Sequence, residues 1–176
     1  MPMSEYMRWL RQKVGTGLVV VPSVSVLVFD AQGRVLLARH AETGRWVIPG
    51  GSVEPHEPPA DAAVRETWEE TGLHVEPTRV LGVYGGPELH VTYRNGDEVS
   101  YLTTVFEGRV LGGEARPDGV EILEIRWVAP AEIPALDVPA WVRLVLGDVL
   151  ADRARAHFQA PVWAPPLDTA GGRPSG

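Results

Sequence analysis

Between Trp46 and Leu73 the chain reads WVIPGGSVEPHEPPADAAVRETWEETGL, and no other stretch restricts the fold as much. An apolar strand stops at Pro49-Gly50-Gly51. A helix over residues 59–71 follows Pro58 and Pro59, prolines being tolerated in a first turn whose amide protons have no partner. Gly72 supplies a C-terminal cap. A helix set between strands has to lay its apolar stripe on a sheet. At about 100° per residue, Ala60, Val64, Thr67, Trp68 and Thr71 share one sector, while Glu66, Glu69 and Glu70 share another centred on the opposite side. The periodicity therefore predicts an apolar stripe facing the sheet and carboxylates facing away.

The flanking sequence supplies that sheet. Ser4 caps a short helix over residues 5–13, which Gly15 to Gly17 end. Residues 18–29, LVVVPSVSVLVF, are rich in β-branched side chains, and DAQG turns them into RVLLARH as a hairpin. Three more stretches have strand composition: HVEPTRVLGVYGG, EVSYLTTVFEGRV and EILEIRWV, with RNGD at 94–97 marking a second hairpin. Residues 138–157 carry apolar positions at helical spacing despite Gly147, and the sequence from Gln159 onward is rich in proline and glycine. The order predicts an α/β fold, a mixed β-sheet sandwiched between α-helices. A length of 176 residues suits one domain. The reading divides the chain into an N-terminal helical extension (1–17), a domain over 18–158 and a mobile tail (159–176). Tyr6, Met7 and Leu10 share one side of the first helix, which needs a partner, either a sheet edge or a second copy in a homodimer.

Charge and composition narrow the chemistry. A net charge of −7 and a pI near 5.2 repel polyanions, so a nucleic acid polymer or an anionic membrane is not the expected partner. A small phosphorylated substrate stays compatible if a divalent metal reverses the local field. With no cysteine, disulfides, thiolate catalysis and sulfur-ligated zinc are excluded. The opening residues MPMSEYMRWLRQKVG interleave charges with apolar residues, which predicts neither a signal peptide nor an anchor and a cytoplasmic location.

An acidic helical face is by itself an ordinary solvated surface, with Arg65 and Glu69 paired at i,i+4. Like charges at i,i+3 and i,i+4 nevertheless repel unless a cation sits among them. Magnesium takes oxygen ligands in an octahedron, keeps several waters, and would suit these carboxylates together with a loop carbonyl. The spacing decides between the two. From Gly51 there are six steps to Glu57, then eight to Arg65-Glu66, Glu69-Glu70 and finally Gly72-Leu73. This pattern resembles the Nudix box, with Thr67 standing where the family usually places an aliphatic residue. The similarity of element order extends over about residues 18–135.

The resemblance implies a Nudix fold and a metal-dependent pyrophosphohydrolase that cleaves a nucleoside diphosphate linked to another moiety, X, into a nucleoside monophosphate and phosphorylated X. Magnesium or manganese would be bound by Glu66, Glu69 and Glu70, with the carbonyl of Gly50 or Gly51 completing the set. Arg65 would orient the helix and Glu57 would brace the loop. The general base would be a box glutamate, Glu66 or Glu70, or a later acid among Asp118, Glu121 and Glu124. Glu121 is the choice, against the alternative of an exposed loop acid. Tyr84, His90, Tyr93 and Arg94 lie where the family often builds its specificity loop, and Tyr84, Tyr93 and Arg94 are the candidate substrate contacts. Aromatics there serve equally often as core or rim. Pro87 falls fourteen residues beyond Leu73, close to the fifteen or sixteen or so of the ADP-ribose subfamily. ADP-ribose or a nucleotide sugar is therefore the expected substrate class. The alternatives are a sanitising nucleoside triphosphate pyrophosphohydrolase and a nucleotide-sensing module without turnover.

Overall fold

A computed structural model describes residues 3–165, and its strands sort by the two faces on which they bury side chains. Helix α1 (Glu5–Val14) precedes strands β1 (Val19–Val28), β2 (Val35–His40), β3 (Trp46–Val47) and β4 (Gly50–Ser52). Helix α2 (Pro59–Thr71) leads into β5 (Leu73–Tyr84), β6 (His90–Thr92), β7 (Glu98–Gly113) and β8 (Ile122–Val128). Helix α3 (Ala140–Ala151) and the short β9 (His157–Phe158) complete the described elements. The larger sheet runs β4-β1-β7-β5-β9, with β6 also on β7, and a smaller one runs β3-β2-β8. β1 lies parallel to β7 and β9 parallel to β5, while the other pairings are antiparallel, so the architecture is mixed.

Side-chain alternation divides the core as a period of two requires. Val24, Val26 and Val28 of β1 join Leu36, Val75 and Phe106 beneath Ala62 and Ala63 of α2. On the opposite face, Leu27, Val35, Leu37, Leu81 and Val105 pack against Val142, Val145, Leu146 and Val149 of α3. The expected α/β/α sandwich is thus the observed one, with a helix on either side of strands buried on both faces.

Two local expectations are corrected. Asp30 accepts the amides of Gln32 and Arg34 at 2.9 and 2.8 Å and turns the chain as DAQG predicts. β1 and β2 nonetheless share only the Phe29–Val35 bridge and then part into different sheets. β1 is already paired on both edges, by β4 and β7, which leaves β2 to pair elsewhere. The third helix ends at Ala151 rather than running to 157. Arg79 draws the carbonyls of Arg153 and Ala154 toward β5, and the His157 ring bonds the Asp152 carbonyl at 2.7 Å. Those bonds take backbone oxygens out of the helical ladder and let 157–158 extend the sheet instead. The RNGD hairpin is present, with His90, Val91 and Thr92 paired to Ser100, Val99 and Glu98. Residues 159–165 have no regular structure, and the rest of the expected tail, 166–176, lies outside the described residues.

Ser4 caps α1 by accepting the Met7 amide at 3.2 Å. Tyr6, Met7 and Leu10 line a small cavity with Val20, Val21, Pro22 and Val53, so the helix meets the β1–β4 end of the sheet. Arg11 fixes the far end of that contact. Its guanidinium donates to the carbonyls of Gly15, Gly17 and Glu98 at 3.1, 2.7 and 2.9 Å and lies 3.5 Å from the Asp97 carboxylate. Trp9 stays outward, stacked on the part-exposed ring of Tyr6.

Candidate active site

The site is built where β4 ends and α2 passes over it. β4 is held on β1 through the Ser25–Gly50, Val24–Gly51 and Ser23–Ser52 pairs. Gly50 has φ 153°, and a Cβ there would stand 2.1 Å from the Val24 carbonyl oxygen, so only glycine fits. At Gly51 a Cβ would lie 2.5 Å from the Glu66 carboxylate. The helix carboxylate therefore sits directly on the strand backbone, in the space a side chain would have filled.

That contact reverses one expectation. Glu66 and Glu70 are 6% and 7% exposed and face the sheet together with Ala62, Ala63, Thr67 and Thr71. Trp68, placed by periodicity on the buried stripe, is half exposed, and Ala60 is exposed too. The helix is rotated relative to its apolar sector because the inward position is set by glycine backbone and by small or hydroxylated residues. Thr67 donates to the Ala63 carbonyl at 2.7 Å and Thr71 to the Thr67 carbonyl at 2.5 Å, so both hydroxyls are satisfied without leaving the helix.

Electrostatics follow from this burial. Desolvation pushes the Glu70 carboxyl up to about 8, against the Gly50 N–H that donates to it at 3.0 Å, and the charges of Glu66 and Asp118 push the same way as burial. Burial also raises Glu66, although Arg65 opposes the shift. Arg65 donates Nε and Nη2 to the two oxygens of Glu57 at 2.8 and 2.9 Å, Nη1 to Glu66 at 2.8 Å and to Glu69 at 3.2 Å, and Nη2 to the Ser52 carbonyl at 3.0 Å. The same hydrogen bonds hold Glu57 below the usual carboxylate range. Glu57 also accepts the Glu54 amide at 3.0 Å, so one guanidinium ties loop, strand and helix into a unit.

Two buried carboxylates thus face a glycine backbone with one guanidinium between them and their neighbours. Among the described residues no three acidic or imidazole groups converge into a ready-made cage. Magnesium does not need one, because it binds through one or two carboxylates and completes its octahedron with water and phosphate. A buried like-charge pair whose ionised form is disfavoured fits a hard divalent cation. Glu66 and Glu70 are the carboxylates that could hold such an ion. Glu69 lies on the outer side, where Arg65 meets it, and the Gly50 N–H points to Glu70.

The remaining candidates are spread more widely. Glu121 lies at the entry to β8, with Asp118 accepting its amide and the Ala41 amide donating to its carbonyl at 2.7 Å. Tyr84 is corrected from substrate contact to core residue. It is 1% exposed, packed under α3, with burial and the Asp148 carboxylate raising its hydroxyl pKa. A ring so enclosed has no face for a base. Tyr93 is on the surface, its hydroxyl 2.5 Å from that of Tyr101, and the exposed Arg94 donates to the Glu42 carbonyl at 3.2 Å. His90 is exposed and lies 3.8 Å from Glu98. Pro87 opens a 3₁₀ turn, Pro87–Leu89, whose Leu89 enters the core.

Residues 20–152 match the NUDIX domain family. The chain belongs to that family. A Bacillus subtilis relative, provisionally named an 8-oxo-dGTP diphosphatase, is 35% identical over 114 residues, covering 65% of this chain and 70% of the relative. The RNA pyrophosphohydrolase of Halorhodospira halophila is 44% identical over 154 residues, 81% of this chain and 84% of that protein. The crystal structure of a MutT protein from Methanosarcina mazei Go1 superimposes with a TM-score of 0.66 at 26% identity, covering 77% of this chain and 96% of the other. As a Nudix hydrolase the chain acts on phosphoanhydride bonds, and no helix among the described residues is long and apolar enough to cross a membrane.

Asp118 is the residue whose role the sequence left open. It was one candidate acid among three, with Glu121 and Glu124, although an Asp two to four residues ahead of a strand is a turn signal in its own right.

Proposed function

We propose that this Nudix hydrolase cleaves the diphosphate of a nucleoside diphosphate linked to another moiety, ADP-ribose or a nucleotide sugar, to a nucleoside monophosphate and phosphorylated X. The observation that carries the reading is the pair of buried carboxylates, Glu66 and Glu70, seated on the side-chain-free backbone of Gly50 and Gly51. Glu66 and Glu70 would hold a divalent ion there, which would supply charge neutralisation for the diphosphate and lower the pKa of a bound water toward neutral. Arg65 keeps the Glu66 carboxylate aimed, and Glu57 holds the Arg65 guanidinium in place. Glu121 takes the proton of the attacking water. Tyr93 and Arg94, on the β6–β7 hairpin, contact the nucleoside or X.

A second reading has its own support. The provisional name of the Bacillus subtilis relative, 8-oxo-dGTP diphosphatase, supports a nucleoside triphosphate substrate for this chain, and the sanitising reaction would release pyrophosphate and a monophosphate. Product analysis separates the two. Full-length protein, stripped with EDTA and then given magnesium, is offered ADP-ribose, UDP-sugars, 8-oxo-dGTP and a 5′-triphosphorylated RNA oligonucleotide. The proposal expects monophosphate plus phosphorylated X from the first two, and no turnover before magnesium returns. Pyrophosphate from 8-oxo-dGTP alone would replace it with the sanitising reading, and turnover unchanged in EDTA would remove the metal-assisted mechanism from both.

A further inference from the structure

The loop between β7 and β8 crosses the C-terminal end of α2 and is fastened at three places. The Arg116 amide donates to the Thr71 carbonyl at 2.9 Å, and the Gly119 amide to the Ile122 carbonyl at 3.0 Å. The densest fastening is Asp118. Its Oδ1 accepts the amides of Val120, Glu121 and Ile122 at 3.1, 3.1 and 2.8 Å, and its Oδ2 accepts the Glu121 amide again at 3.2 Å. Three successive amides on one carboxylate fix the backbone on both sides of Glu121. On its other side the Glu121 carbonyl is held by Ala41 at 2.7 Å. Glu121 is therefore pinned by its N–H and its C=O alike, in a segment that elsewhere has no ladder to hold it.

The same loop stands over the carboxylate helix. A Cβ at Gly72, the cap of α2, would meet the Glu114 carbonyl at 2.7 Å and the Arg116 side chain at 3.0 Å. We infer that Asp118 is a positioning residue, holding the Glu121 backbone so that its carboxylate is presented to the Glu66–Glu70 centre. The inference rests on Glu121 being the base. Asp118 itself has its Oδ1 turned into the loop backbone, so its part in the reaction is exercised through another residue. Misplacement of a reacting group by about 1 Å is enough to lower a rate on the order of a hundredfold.

An amide side chain keeps an oxygen where Oδ1 is and loses only the charge and the weaker Oδ2 contact, which gives the test. Full-length D118A, D118N and E121Q are compared with the parent in magnesium on whichever nucleotide the substrate panel identifies, and amide hydrogen exchange is followed at 119–122. D118A is expected to lose about ten- to a hundredfold in kcat with little change in KM, and to exchange faster at 119–122. D118N should recover most of that turnover and most of the protection. A D118N defect as deep as that of D118A would overturn the inference, because charge and not backbone geometry would then be what matters. Normal D118A turnover beside an impaired E121Q would remove the inference alone. Near-normal E121Q turnover would remove the base assignment beneath it, and the inference with it.

Discussion

Glu70→Gln leaves the fold intact and lowers turnover by a hundredfold or so, the scale on which removing one charge-stabilising group acts in other enzymes. The glutamine oxygen still accepts the Gly50 amide, so what is deleted is the negative charge and not the contact. Stability moves the other way. Because burial raises the Glu70 carboxyl to about 8 from an ordinary value of 4.5, the folded protein keeps a proton that the unfolded chain has already released. The contribution is fully present below 4.5 and is lost as pH rises toward 8. In EDTA the parent should therefore melt progressively lower from pH 5 to 8, while the glutamine variant lacks this loss and melts higher at pH 8. Scanning calorimetry at both pH values reads the crossover, and parallel pH profiles for the two proteins would contradict the burial argument.

Arg65→Lys has the second large effect, despite conserving charge. The guanidinium reaches both oxygens of Glu57, Glu66, Glu69 and the Ser52 carbonyl at once, and an ammonium has neither the reach nor the planar fork to replace it. Hydrogen bonds to charged partners are worth about 1.5–3 kcal/mol each in net terms, so a loss of about 2–3 kcal/mol is expected even where the lysine and water make good all but one of them. The deficit should shrink in acid. Arg65 holds Glu57 below its ordinary range, and that stabilisation exists above the unfolded value of 4.5 and disappears as pH falls through the folded one. Urea titrations of parent and variant at pH 7 and pH 3.5 measure this. Turnover should fall with stability, since Glu66 loses its aim.

Much of this site is legible in the sequence because its chemistry depends on spacing. Gly51, Glu57, Arg65, Glu66 and Glu70 lie within twenty residues of one another, and the strand-glycine-helix succession needs no distant contact to be read. What periodicity misplaced was the rotation of α2. A helical wheel scores Glu as outward and Trp as inward, whereas here a glycine backbone leaves room for Glu66 and the sheet leaves none for Trp68. The partners that a wheel cannot see decide the face. Tyr84 failed for a related reason: a tyrosine at a strand end reads alike whether it lines a rim or enters a core, and only the arrival of α3 above it settles which. The early end of α3 likewise depends on Arg79, more than seventy residues away in sequence, reaching the carbonyls of Arg153 and Ala154.

Manganese binding, which requires no knowledge of X, decides whether Glu66 and Glu70 on the Gly50–Gly51 backbone form a metal centre. Titration of free Mn²⁺ against full-length protein, followed by the electron paramagnetic resonance of the unbound ion, gives the affinity for parent and for Glu70→Gln. Saturable binding by the parent is expected, with an affinity weakened by about tenfold or more in the variant, at least what loss of a ligand-supporting group costs in other metal sites. Equal depletion of free manganese by two folded proteins would contradict it.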